Sequence, residues 1–168
     1  MTPSPSLDAD LARLLLRASV GGTMIAHGVK HARSLAGTAR WFESIGFRKP
    51  RQQAQLSAVV EIGSGAALIV GAATPLSAAA VVGTMVVAAR SVHIPNGFFI
   101  TAEGWEYVAA LGTASVAMAA LGGGRFSVDR ALGLDRQLCG SRGAAIALCA
   151  GLGGAAVQLA AFWRWPAP

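Results

Sequence analysis

The sequence predicts an all-α membrane protein: a transmembrane four-helix bundle with an additional C-terminal fifth transmembrane helix. Three observations carry that prediction. Of 168 residues, 54% are hydrophobic and only 13% are charged, about half the usual charged share of roughly 25% in soluble domains. Apolar runs long enough for a ~30 Å hydrocarbon core recur between polar connections. The polar residues also gather at the ends of those runs instead of forming a solvent face. Mean hydropathy is +0.52. The apolar mass is largely Ala, Leu, Val and Gly, a composition suited to close helix packing in lipid.

Each element follows from the residues in order. The first stretch is rich in Pro and Ser, and residues 1–10 are expected to form a flexible tail. Span 1 covers about Leu11–Val29, with Arg13 and Arg17 near its start, placed to snorkel to the headgroups. No A-x-A-like site follows it, so it reads as a retained span, not a cleaved signal. A basic connection over residues 30–53 carries Leu35, Phe42 and Ile45 near helical spacing beside Trp41. That pattern predicts a short amphipathic helix lying in the interface. Span 2 covers about Ala54–Ala73, and Thr74-Pro75 starts span 3 at about Leu76–Val92. Pro95-Asn96-Gly97 breaks the helix, and span 4 runs from about Gly104 to Leu121. After a short amphipathic piece, Ala144–Trp163 is a fifth uncharged run. Small residues recur every fourth position at Gly63, Ala67 and Gly71, and at Ala147, Gly151 and Ala155. Such stripes allow backbones to approach closely.

Charge and cysteine content exclude several functions. The net charge is +6, but the Lys and Arg residues lie mostly outside the apolar runs, as topology anchors do. No aromatic–basic groove pattern for nucleic acid is present. Six basic residues fall on one side of the spans and eight on the other, too even a split to orient the chain. The two cysteines, Cys139 and Cys149, form no C-x-x-C pair, so a dithiol mechanism is unsupported. Cys149 reads as a small packing residue.

The candidate site comes from helix direction. His27 closes span 1, and Glu61 sits one to two turns into span 2. Arg90 and His93 close span 3, Asn96 stands in the following turn, and Glu106 and Tyr107 open span 4. In an up-down-up-down bundle these positions share one layer. Ionisable groups inside a bilayer are costly, and a cluster of them marks a site. Glu61 is expected to face the bundle, either protonated or paired with Arg90 or His93. Lys30 and His31 share a face with His27 and are expected to act as headgroup-level anchors. A metal site is not expected, because the paired Glu-x-x-His motifs of di-iron bundles are missing. The alternative is a pocket for a quinone-like molecule, whose oxygens a His and a Glu can hydrogen-bond and supply with protons.

Seven segments in order resemble the DoxX family of small bacterial membrane proteins. They are Leu14-Leu15-Leu16-Arg17, His27-Gly28-Val29-Lys30, Trp41-Phe42-Glu43-Ser44-Ile45-Gly46, Glu61-Ile62-Gly63, His93-Ile94-Pro95-Asn96-Gly97-Phe98-Phe99, Gly104-Trp105-Glu106-Tyr107 and the run from Gly124 to Arg130. The resemblance divides the chain into the tail at 1–10, a DoxX-like four-span bundle over 11–135, and a connection with the fifth span over 136–168. It implies a multi-pass protein of the bacterial plasma (inner) membrane with its N-terminus in the cytoplasm. Members are associated with redox processes, including the membrane subunit of a quinone-reducing thiosulfate oxidoreductase.

The expected function is therefore an integral membrane component of a redox system that binds a quinone-like molecule in its polar layer. Its partners would be the lipid bilayer and other membrane or redox proteins, not nucleic acid. The alternative is a non-catalytic assembly or accessory subunit that docks onto a larger membrane enzyme complex.

Overall fold

In the computed structural model, which describes residues 7–165, the chain is a bundle of helices with no strand among the described residues. Helix α1 spans Leu7–Arg33, α2 Leu35–Ser44, α3 Pro50–Val70, α4 Thr74–Ala88 and α5 Glu106–Leu121. Two short helices follow, α6 at Val128–Ala131 and α7 at Asp135–Leu138, before the long α8 at Gly140–Phe162. Beyond Ala88 the α4 rod continues through a π-helical turn at Ala89–His93 and a 3₁₀ turn at Ile94–Asn96.

Among the described residues, three helical stretches are long and apolar enough to cross a membrane by length and composition: Pro50–Val70, Thr74–Asn96 and Gly140–Phe162. Five spans were expected. The other two, α1 and α5, pack into the same bundle. Helix α5 is apolar but has only 16 residues, about 24 Å at ~1.5 Å per residue. Helix α1 has 27 residues and is charged at both ends. Asp8 and Asp10 sit in its first turn, and Lys30, His31 and Arg33 in its last, each sign opposing the helix dipole.

The flexible tail expected over 1–10 gives way to helix at Leu7; residues 1–6 lie outside the described residues. Asp10 explains the early start. It is buried, pairs with Arg13 at 3.3 Å and Arg125 at 3.7 Å, and accepts from the Arg125 amide at 3.2 Å. The first turn of α1 is thereby tied to the loop after α5.

Backbone contact at small residues sets the packing. A Cβ on Gly21 of α1 would lie 2.6 Å from the Gly65 carbonyl oxygen of α3, and one on Gly65 would lie 2.6 Å from the Gly21 oxygen. Only glycine at both positions permits that approach. The stripe expected through Gly63 is displaced by two positions, since Gly63 faces open space. The stripe in α8 turns inward as a unit: Ala147, Gly151 and Ala155 are all buried. A Cβ on Gly151 would lie 2.8 Å from the Ala79 oxygen of α4. The fifth span is thus built into the bundle and not appended to it. Cys149, expected to pack inside, is exposed instead, because the inward stripe runs through Ala147 and Gly151 on either side of it.

Two apolar clusters fill the interior. One joins Val20, Met24, Leu68, Val81, Met118 and Ala147 across the long helices. The other joins Phe42, Phe47, Ala54, Val87, Ala155 and Trp163 and fastens α2 to the end of the bundle.

At the opposite end, polar residues hold the helix termini. Arg17, expected to snorkel outward, is buried. Its guanidinium donates to the carbonyls of Leu68 at 2.9 Å, Ile69 at 2.5 Å, Gly123 at 2.8 Å and Phe126 at 2.9 Å. Leu68 and Ile69 belong to the last turn of α3, and Gly123 and Phe126 to the loop after α5, so the inward guanidinium ties these two segments together. Asp129 does the converse at the start of α4. Its carboxylate accepts from the Ala73 amide at 2.7 Å, the Thr74 amide at 2.8 Å and the Thr74 hydroxyl at 2.6 Å.

Candidate functional site

Glu61 is a buried acid on α3, one turn beyond Ser57. The i, i+4 spacing puts both side chains on one face, and the Ser57 hydroxyl donates to Glu61 Oε1. His31, in the last turn of α1, completes the group. Its Nδ1 lies 3.0 Å from Ser57 Oγ and 3.2 Å from Glu61 Oε1. With Ser57 donating to the carboxylate, the imidazole Nδ1 is the atom that carries hydrogen into the pair. The other carboxylate oxygen, Glu61 Oε2, is buried and accepts no hydrogen bond among the described residues.

Helix α2 roofs this group. The His31 ring lies 6.3 Å from the Trp41 ring and 6.3 Å from the Phe42 ring. The expected amphipathic helix over this segment is therefore present, with Phe42 turned into the bundle and Trp41 outward. Beneath α2 is a cavity of about 120 Å³, lined by His31, Trp41, Ser57, Glu61, Ser91 and Gln158 among others. Gln158 is fixed from α8, donating to Gln53 Oε1 at 3.0 Å. Apolar walls with a few convergent polar groups are the usual make-up of a small-ligand pocket.

The seven residues expected to form one site separate into four groups. Glu61 alone of the seven lines this cavity. His93, Asn96 and Glu106 organise the 97–105 loop. His93 Nδ1 donates to the Glu103 carbonyl at 2.6 Å, Asn96 Nδ2 donates to the Val92 carbonyl at 3.2 Å, and Glu106 Oε2 accepts from the Ile100 amide at 3.0 Å. His27 and Tyr107 form a ring pair between α1 and α5 with centroids 6.4 Å apart. Arg90 stacks on Trp163 and Trp165, with its guanidinium carbon 4.5 and 5.1 Å from the ring centroids.

The pairing expected between Glu61 and Arg90 or His93 is thus replaced by His31. The physical reason is local. The chain leaves its helical path after Ala88 in a π turn, His93 is drawn to the loop carbonyl, and Arg90 is drawn to α8. His31, expected to be a headgroup anchor, was missed because nothing in sequence joins the end of α1 to Ser57. The available signal was the Ser57–Glu61 spacing, which marks one face of α3.

A second, larger cavity of about 690 Å³ opens between α4, α5 and α8, with walls that include Val82, Met85, Ala89, Trp105 and Leu148. Among the described residues, no ionisable side chain lines it.

The DoxX family model matches residues 12–94. The chain belongs to the DoxX family over this stretch. The DoxX segment contains His27, His31, Ser57, Glu61, Arg90 and His93, while Asn96, Glu106 and Tyr107 lie beyond it. No curated protein and no solved structure matches the chain. DoxX membership and the apolar helices together make this an integral membrane protein.

Proposed function

We propose that this DoxX protein is the membrane component of a redox system, and that the cavity at Glu61 holds the head group of a quinone-like lipophilic molecule. The single observation that carries the reading is Glu61, a residue that lines the cavity and whose buried carboxylate oxygen Oε2 has no protein donor among the described residues. A buried acceptor left unpaired costs about 1–3 kcal/mol. A quinol hydroxyl placed in the cavity supplies the missing donor. Two-electron reduction of a quinone takes up two protons, and quinol oxidation releases them. Glu61 and His31 are the groups positioned to pass those protons. The electrons come from or go to a partner redox protein, in keeping with the redox associations that the family resemblance implies. The bacterial plasma membrane is the compartment that fits this role.

The test is extraction of the protein purified in mild detergent, followed by quantification of quinone per chain. The reading expects near-stoichiometric quinone in the wild type and a large loss in Glu61→Leu. Wild-type protein that holds no quinone, even after incubation with excess quinone, overturns it. In that case an obligate protein partner that co-purifies supports the accessory-subunit alternative. The outer face of α8, with Cys149 and Val157 exposed, is the surface available for such docking.

A further inference from the structure

The fold gathers basic residues from three separate elements at one corner. Phe47, between α2 and α3, forms a short antiparallel bridge with Trp163 at the end of α8. The Arg48 amide donates to the Phe162 carbonyl at 2.7 Å, the Arg164 amide to the Gly46 carbonyl at 3.0 Å, and Trp163 Nε1 to the Ile45 carbonyl at 2.8 Å. This bridge brings Arg48 and Lys49 beside Arg164. Lys49 Nζ stands 6.0 Å from the centre of the Phe162 ring, and Arg90 arrives from the end of α4 to stack on Trp163 and Trp165.

Lys49 and Arg90 therefore stand over one aromatic cluster, the backbone brings Arg48 and Arg164 to the same corner, and among the described residues none of the four forms an ion pair with a carboxylate. Like charges gathered at one corner repel one another, and an anion bound there relieves that repulsion. The large apolar cavity between α4, α5 and α8 begins at the same corner: Ala89 and Ile94, which flank Arg90 in the chain, both line it, as does Trp105. An aromatic and basic rim above an apolar groove is the arrangement that holds a charged head group at the interface with a hydrocarbon chain below.

We propose that this corner is a binding site for an anionic phospholipid. The phosphate sits among Arg48, Lys49, Arg90 and Arg164, and one acyl chain lies in the groove along α4. This site is separate from the Glu61 cavity, which α4 meets through Thr84, Val87 and Ser91 instead of Val82, Met85 and Ala89.

The experiment uses the full chain in nanodiscs made from equal parts of phosphatidylethanolamine and phosphatidylglycerol, followed by native mass spectrometry in detergent. The wild type should retain about one phosphatidylglycerol per chain in preference to phosphatidylethanolamine. Lys49→Gln combined with Arg90→Gln should weaken that retention roughly thirtyfold, from two surface cations. Arg136→Gln combined with Arg142→Gln, which removes cations at the other end of the bundle, should leave it unchanged. Raising the salt concentration should release the lipid from the wild type, a readout that requires no variant to fold. Equal retention of the two lipids, insensitivity to salt, or equal loss in the two double variants overturns the proposal. So does recovery of a quinone in place of phospholipid on the same cations.

Discussion

His31 Nδ1 lies 3.2 Å from Glu61 Oε1, and Ser57 bridges them. Contact across two helices at a buried carboxylate makes the pair energetically coupled, and residues sharing one hydrogen-bond network typically show coupling of about 0.5–3 kcal/mol. A double-mutant cycle of His31→Ala and Glu61→Gln, read by thermal unfolding in detergent, should fall in that range. Glu61→Leu should be worse than Glu61→Gln, because leucine removes the acceptor that Ser57 and His31 share. Additive effects would show that the two side chains act independently.

Arg17 gives a second prediction. Its planar fork serves carbonyls at Leu68, Ile69, Gly123 and Phe126. A lysine ammonium keeps the charge but not the fork. Arg17→Lys should therefore lower stability by about 2–4 kcal/mol, from hydrogen bonds to a charged group at roughly 1.5–3 kcal/mol each with partial replacement. Detergent unfolding of the variant measures it. An unchanged midpoint would mean that the guanidinium contacts contribute little.

These two residues mark what was legible in the sequence. The helices and their order follow from apolar runs and from Pro and Gly breaks, and Glu61 follows from its isolation in an apolar run. The amphipathic pattern around Phe42 also identified α2. Arg17 resembled an ordinary interface anchor because the carbonyls that attract it belong to α3 and to the loop after α5, more than 50 residues away. His31 is hidden for the same reason. Helix direction placed the polar residues on one side of the bundle, but it could not say which rotate toward one another. The π turn at Ala89–His93 reset that rotation for Arg90 and His93.

The α1–α3 contact yields a paired test. Gly65 meets the Gly21 carbonyl, whereas Gly63 meets nothing within 4 Å. Gly65→Val should destabilise by about 1–3 kcal/mol, the usual penalty for overpacking. Gly63→Val should stay within about 0.5 kcal/mol, as surface substitutions do. Thermal unfolding of the two variants side by side separates this interface from a general dislike of β-branched residues in α3. Equal losses would contradict the observed helix rotation.

The final prediction concerns topology. If α1 and α5 cross the membrane along with the three helices that qualify by length and composition, the chain crosses five times, and its two ends lie on opposite sides. Helix α5 is the weak member at 16 residues, about 24 Å against a ~30 Å core. The mismatch is relieved if the 97–105 loop, with exposed Phe98, Phe99 and Ile100, sits within the interface. That extends the apolar stretch at the end of α5 that carries Trp105. Reporter fusions at Met1 and Pro168 should report opposite compartments, and a fusion in the loop after α5 should report the same side as Met1. If both ends report one compartment, one of the five helices lies on the membrane instead of through it. A loop fusion on the side opposite both ends would place that helix before the loop, where α5 is the shortest candidate, whereas a loop fusion on the same side as both ends would identify α8.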